Sequence, residues 1–88
     1  DKPVVVEFYT TACSHCKKLA GALNKLSEEK GDDVFFGKCN IDQEALLQSR
    51  FDISAVPTLL FIKNGEIKNR LVGEVHPLII QEEIKKLA

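Results

Sequence analysis

The chain alternates short apolar runs with amphipathic stretches, a pattern typical of a mixed α/β domain. Residues 3–9 are rich in valine and aromatic side chains, which favours a strand buried on both faces of a sheet. Glu7 is the one charged residue in that run. Apolar residues then recur at helical spacing from Cys16 to Leu26, and Gly31 stands where a helix C-cap is expected. The first third of the chain therefore predicts a strand followed by a helix.

The middle of the chain predicts a second strand and a second helix. Residues 34–41 are strand-like, and about 20 residues separate them from the first strand, which favours a right-handed parallel crossover. A helix capped by Asp42 is predicted to run to about Phe51. We expect Leu46, Leu47 and Phe51 to form its inward side.

The last third predicts a hairpin and a closing helix. Residues 58–62 and 66–72 are strand-like, and Asn64-Gly65 between them is a strong type I′ turn signal, so these strands are antiparallel. Pro77 suits the first position of a helix, with His76 as a residue of the helix start. Apolar residues at helical spacing then indicate an amphipathic helix. They are Ile80, Ile84 and Leu87.

Together these elements predict one α/β domain spanning residues 1–88. The order strand, helix, strand, helix, strand, strand, helix contains one parallel crossover and one hairpin. If the first strand is central, the sheet is mixed, has about four strands in the order 2-1-3-4, and carries helices on both faces. Ligands bind such sheets at the carboxyl ends of the strands.

Composition narrows the class of protein. The 88 residues are 44% hydrophobic and 28% charged, with a net charge of −1, so nothing points to nucleic acid or an anionic membrane as partner. The apolar runs fall far short of the roughly 20 residues of a membrane span. Three cysteines cannot form a fully paired disulfide scaffold. Cys39 lies among strand residues and is expected to be a buried, small apolar side chain.

The chemistry is concentrated in Cys13-Ser14-His15-Cys16, between the first strand and the first helix. Cysteines three apart face the same side of a helix and can close a disulfide at its start. Backbone N–H groups and the dipole at a helix N-terminus stabilise a thiolate, so Cys13 is expected to be the nucleophile. Cys16, one turn further in, is the less accessible thiol that resolves a mixed disulfide. The spacing therefore indicates thiol–disulfide exchange.

Several motifs, the dithiol among them, are spread over nearly the whole chain, and together they resemble thioredoxin. The motifs are Pro3 to Tyr9, Cys-x-x-Cys-Lys, Lys38-Cys39-Asn40-Ile41-Asp42, Val56-Pro57-Thr58-Leu59-Leu60, Lys63-Asn64-Gly65-Glu66 and Val72-Gly73. The resemblance implies the thioredoxin fold.

The resemblance also assigns roles to residues outside the dithiol. It implies that Pro57 is cis beside the dithiol, that the backbone of Val56 pairs with an extended substrate segment, and that Gly73 contributes to substrate binding. Glu7 matches a buried carboxylate of the family, usually Asp, which takes a proton from the resolving cysteine. Lys38 matches a lysine near that acid.

Three departures from the thioredoxin pattern affect the expected chemistry. Ala12 replaces the usual tryptophan, and Ser14-His15 replaces Gly-Pro. His15 resembles the histidine of protein disulfide isomerases and periplasmic dithiol oxidases, where it can stabilise the thiolate and make the disulfide more oxidising. The family's N-terminal strand and helix have no counterpart before residue 1, which is expected to leave the second strand as an exposed sheet edge unless residues outside this sequence cover it.

The resemblance implies a thiol–disulfide oxidoreductase, with protein disulfide reductase as the leading hypothesis. An oxidising disulfide donor or isomerase of the same fold is the alternative. A metal site on Cys13, Cys16 and His15 or Cys39, and a non-catalytic interaction module, are more remote. The leading hypothesis needs no cofactor beyond the Cys13/Cys16 disulfide and no metal. It implies disulfide-containing protein substrates, a thioredoxin-reductase-like electron donor, a monomer, and a cytoplasmic location.

Overall fold

The computed structural model describes residues 2–87, which form one four-stranded sheet and three α-helices. The strands are β1 (Val4–Tyr9), β2 (Phe35–Asn40), β3 (Thr58–Lys63) and β4 (Glu66–Val72). The helices are α1 (Ser14–Lys30), α2 (Ala45–Arg50) and α3 (Pro77–Lys86), with a 3₁₀ turn at Gly31–Asp33 after α1. No helix within residues 2–87 is both long enough and apolar enough to cross a membrane.

The strand order is β2-β1-β3-β4, which confirms the predicted 2-1-3-4 sheet. Strand β1 pairs in parallel with β2, Val4 opposite Phe35 and Tyr9 opposite Asn40. It pairs antiparallel with β3, and β3 pairs antiparallel with β4. The central strand therefore ends at Tyr9, and the chain reaches Cys13 immediately beyond the edge where α/β sheets bind ligands.

Two apolar layers cover the two faces of the sheet. On one face α1 and α3 pack against β1 and β3, and the buried residues are Val5, Leu19, Leu23, Leu26, Val34, Leu59, Phe61, Ile80, Ile84 and Leu87. On the other face the buried cluster is Phe8, Cys39, Ile53 and Leu60, against which Leu47 and Phe51 of the α2 region pack. The free thiol of Cys39 is buried, as predicted. Because successive strand residues alternate between faces, Glu7 points to the same side as Val5, beneath α1.

The turns and helix ends follow the local signals in the sequence. Asn64 and Gly65 have φ angles of 54° and 78°, the positive values that a type I′ hairpin turn requires. Gly31 caps α1 with φ 57°, and its N–H donates to the carbonyl oxygen of Ser27. His76 is the N-cap of α3, where its side chain accepts a hydrogen bond from the N–H of Leu78.

The prediction for α2 is wrong in two respects. The helix begins at Ala45 with Glu44 as N-cap, not after Asp42. A turn at Asn40 delays it, because the Asn40 side-chain oxygen accepts from the Asp42 N–H at 2.9 Å and its carbonyl oxygen accepts from the Gln43 N–H at 3.0 Å. Leu46 does not face inward but is 86% exposed.

Candidate redox site

The dithiol lies at the N-terminus of α1. Cys13 is the N-cap of this helix, with extended backbone angles of φ −84° and ψ 108°. Its sulfur accepts a hydrogen bond from the Cys16 N–H at 3.1 Å. A sulfur at this position lies against the unpaired N–H groups and the positive end of the helix dipole, both of which favour a thiolate over a thiol. The start of α1 thus provides the electrostatic setting for a nucleophilic sulfur.

Cys13 and Cys16 form a disulfide with a Cα–Cα distance of 5.2 Å, within the ordinary range for such bonds. The two residues differ in access to solvent. Cys16 is only 2% exposed, whereas Cys13 is half-buried at the surface. An external sulfur can therefore approach Cys13 more readily than Cys16.

Behind the dithiol is a cavity of about 310 Å³ between β1, β2 and α1. Its lining includes Cys16, Glu7 and Lys38. Glu7 is 1% exposed, and its Oε2 atom has no hydrogen-bond partner within residues 2–87. The structure therefore brings the buried cysteine, the carboxyl group and the lysine to the lining of one cavity.

Burial raises the pKa of Glu7 to about 7, while the positive charge of Lys38 acts in the opposite direction. Lys38 is its register partner on β2. Loss of hydration is the larger effect, because a carboxylate taken out of water loses more free energy than one nearby exposed lysine returns. A carboxyl group that titrates near neutral pH can both accept and return a proton under physiological conditions.

In front of the dithiol is a surface groove that includes the loop before β3. The Val56–Pro57 peptide bond is cis, and the Gly73 N–H donates to the Pro57 carbonyl oxygen at 2.8 Å. Gly73 has φ 93°, a backbone conformation that side-chain-bearing residues rarely adopt. None of the hydrogen bonds within residues 2–87 uses the backbone of Val56, which leaves its N–H and carbonyl groups available to an extended segment.

The groove has a volume of about 700 Å³. Its lining residues are His15, Val56, Pro57, Gly73, Glu74, Val75, His76 and Pro77. Sequence reasoning missed Glu74, whose Oε1 lies 2.6 Å from Nδ1 of His15 across 59 residues of chain. The signal that could have pointed to it is its position directly after Gly73, a residue that already belonged to the expected binding site.

No metal site accompanies the dithiol within residues 2–87, where no group of three or more His, Cys, Asp or Glu side chains is arranged to hold an ion. Cys39 lies on the opposite sheet face from Glu7, in the cluster with Phe8. Burial raises the pKa of the Cys39 thiol, and the charge of Glu44 acts in the same direction. Both effects disfavour the thiolate of Cys39, so this cysteine is a poor nucleophile.

A disulfide at the start of a helix, next to a cis-proline loop at the carboxyl end of a central strand, defines the class of dithiol α/β domains. Comparison with known proteins agrees with that class. The model of the family described as Thioredoxin matches residues 1–86. The chain belongs to the thioredoxin family.

Relatives are about one-third identical to the chain over the aligned residues. It is 36% identical over 84 residues to thioredoxin-2 of Saccharomyces cerevisiae, covering 96% of this chain and 79% of that protein. It is 32% identical over 84 residues to the chloroplastic M-type thioredoxin of Spinacia oleracea, covering 96% of this chain and 46% of the relative. The chain thus spans about half the length of the chloroplastic relatives it matches.

Solved structures show the same fold. The oxidised form of mitochondrial thioredoxin 3 from Saccharomyces cerevisiae superposes with a TM-score of 0.89 at 30% identity. The match covers 99% of this chain and 80% of the yeast chain. The mixed 2-1-3-4 sheet with its helices is therefore the thioredoxin fold, as the resemblance implied.

Proposed function

We propose that this protein is a thiol–disulfide oxidoreductase that reduces disulfides in protein substrates. The observation that carries the proposal is the unequal access to the two sulfurs: half-buried Cys13 at the helix N-terminus and buried Cys16 behind it. Membership of the thioredoxin family supports the same activity. The reaction needs no bound cofactor, because the Cys13/Cys16 couple itself carries the two electrons.

The geometry supports a two-step exchange. The Cys13 thiolate attacks one sulfur of a substrate disulfide, which forms a bond between Cys13 and the substrate, breaks the substrate bond and releases one substrate thiolate. The Cys16 thiolate then attacks Cys13, closes the Cys13/Cys16 disulfide and releases the second thiolate. Two electrons pass to the substrate, whose two thiolates take up two protons from solvent.

Glu7 and the groove have distinct parts in this proposal. Glu7 accepts the proton of the Cys16 thiol, by way of the cavity that both residues line, and its pKa of about 7 suits that exchange. Val56 offers its unused backbone groups to an extended substrate segment, and Pro57 and Gly73 shape the groove beside it. His15, in the first turn of α1, affects the reduction potential of the Cys13/Cys16 couple.

Turnover requires an outside supply of electrons, since each cycle leaves the protein oxidised. We propose a thioredoxin-reductase-like donor, a monomeric protein, and the cytoplasm as compartment, because a disulfide reductase works where thiol pools are kept reduced. The relatives themselves include chloroplastic and mitochondrial proteins.

The deciding experiment is the reduction potential of the Cys13/Cys16 couple, measured by equilibration in graded glutathione buffers with trapping of free thiols. A value near about −270 mV supports a reductase. A value between about −180 and −120 mV contradicts that direction and leaves the alternative of a disulfide donor or isomerase. A reduced protein that fails to cleave insulin disulfides would overturn exchange activity altogether.

Single cysteine variants test the assignment of the two sulfurs. Cys13→Ser should abolish insulin reduction, whereas Cys16→Ser should accumulate a mixed disulfide with the substrate, seen as a mass adduct that dithiothreitol removes. Cys39→Ser is the matched control, because Cys39 lies in the core of the opposite sheet face. Equal loss of activity in all three variants would contradict the assignment.

A further inference from the structure

Glu74 is the one carboxylate among the described residues that line the groove, and it contacts the histidine of the dithiol segment. Its Oε1 lies 2.6 Å from His15 Nδ1, the short distance of a charge-assisted hydrogen bond. The contact joins the first turn of α1 to the connection between β4 and α3. It therefore ties these two elements together at the groove.

The side chain of His15 is hydrogen-bonded to Glu74 and not to the sulfur that it would tune. Cys13 is the N-cap of α1, with extended backbone angles, whereas His15 lies in the first turn of the helix. Within residues 2–87, the only side-chain hydrogen bond of His15 is to Glu74 and neither sulfur is its partner.

We propose that Glu74 is a positioning residue that holds His15 over the groove and away from the Cys13 thiolate, which keeps the couple reducing. The proposal rests on the proposed reductase function and deepens it. A histidine that reached the Cys13 sulfur would stabilise the thiolate and hence the reduced form, which makes a disulfide more oxidising. With His15 bound to a carboxylate, most of that stabilisation is withheld.

The surrounding charges agree with this role. The hydrogen bond from His15 is the largest of the effects that hold the pKa of Glu74 below its ordinary range, and the positive charge of Lys18 acts in the same direction. Glu74 is therefore anionic at any pH at which the couple works. His76 lines the groove from the other side, but its Nδ1 is engaged by the N–H of Leu78.

The test is a double-mutant cycle with Glu74→Ala, His15→Ala and the double variant, with the glutathione equilibrium measured at neutral pH and the alkylation of Cys13 followed over a range of pH. Because the cycle makes the same Glu74 substitution with and without His15, it separates the coupling between the two side chains from the effect of the Glu74 charge alone. Two quantities are measured: the equilibrium constant with glutathione, and the pH dependence of Cys13 alkylation by iodoacetamide. Glu28→Gln removes the same charge from the exposed side of α1, far from the dithiol, and is the matched control.

Glu74→Ala should shift the glutathione equilibrium toward the dithiol by about two- to fivefold, the usual range for one exposed charge pair. For a two-electron couple this is a potential about 10 to 20 mV less negative. The alkylation profile should move to lower pH. In the His15→Ala background the shift should fall to less than half, leaving only the direct effect of the Glu74 charge.

Three results would overturn the proposal: no shift beyond that of Glu28→Gln, a shift toward a more reducing couple, or an equal shift with and without His15. The last would mean that Glu74 acts by its own charge alone. These outcomes are separate from a failure of the proposed function, which would appear in the unmodified protein as an oxidising potential or as inactivity toward insulin.

Discussion

Glu7 should make the protein less stable as the pH rises through neutrality. Its carboxyl group is buried beneath α1, with a pKa raised from 4.5 to about 7. The folded state therefore binds the proton more tightly than the unfolded state, and by linkage the free energy of unfolding falls as pH rises between these two values. Glu7→Gln removes the titration while keeping the size of the side chain.

The magnitude follows from the two pKa values. The rise of the Glu7 pKa from 4.5 to about 7 corresponds to a destabilisation of roughly 3 kcal/mol when the carboxyl group is fully ionised in both the folded and the unfolded state. At pH 5 the destabilisation is only about 1 kcal/mol, because Glu7 is mostly ionised in the unfolded state but still protonated in the folded state. Glu7→Gln should therefore gain about 2–3 kcal/mol of stability over the unmodified protein between pH 5 and pH 8.

Urea unfolding of the oxidised protein at pH 5 and pH 8 measures this difference. Comparing variant with unmodified protein at each pH removes the contributions of all other titrating groups. Glu28→Gln, on the exposed side of α1, should show no change in its difference between the two pH values. If Glu7→Gln behaves in the same way, the carboxyl group titrates normally in the folded state, and the argument for proton exchange with Cys16 loses its basis.

Two further predictions concern the fold, both measured as free energies of unfolding in urea. Gly73→Ala should cost about 1–2 kcal/mol, because φ 93° disfavours a side chain, although nothing lies within 4 Å of an added Cβ. Gly21→Ala, in an exposed part of α1 with equal space, should instead stabilise the protein by about 0.5–1 kcal/mol. A loss of stability in Gly21→Ala would contradict the explanation from backbone conformation. Leu60→Ala in the core should lower the free energy of unfolding by about 2–5 kcal/mol. Leu46→Ala, at an 86% exposed position, should change it by no more than about 0.5 kcal/mol. Similar losses in the two variants would mean that Leu46 is buried.

The elements that were predicted correctly are those whose signals are local. Asn64-Gly65 requires positive φ at both positions, and few turns other than type I′ meet that requirement. Pro77 fixes its own φ at a helical value, and the helix begins there. The strand order followed in turn, since a crossover and a hairpin leave few compact arrangements with the first strand in the centre.

Helix α2 shows where local reasoning fails. Asp42 is a good N-cap residue, but its N–H donates to the side-chain oxygen of Asn40 in a turn that precedes the helix. Such side-chain hydrogen bonds compete with helix formation. The six-residue helix that remains turns Leu47 and the following Phe51, four positions apart, to the core. Leu46 lies about a quarter turn away on the helix, so adjacent leucines have opposite environments.

Under the proposal for Glu74, the direction of the redox reaction is set by the folded site and not by the four-residue motif alone. The motif contains His15, which by itself predicts an oxidising couple, while the motifs outside it favour a reductase. The structure adds a third group, Glu74, that no periodicity or spacing connects to His15, since 59 residues separate them. A histidine bound to a carboxylate does not act on a neighbouring thiolate as a free one does. The same Cys-Ser-His-Cys sequence could therefore serve either direction, depending on which residue follows the glycine after β4.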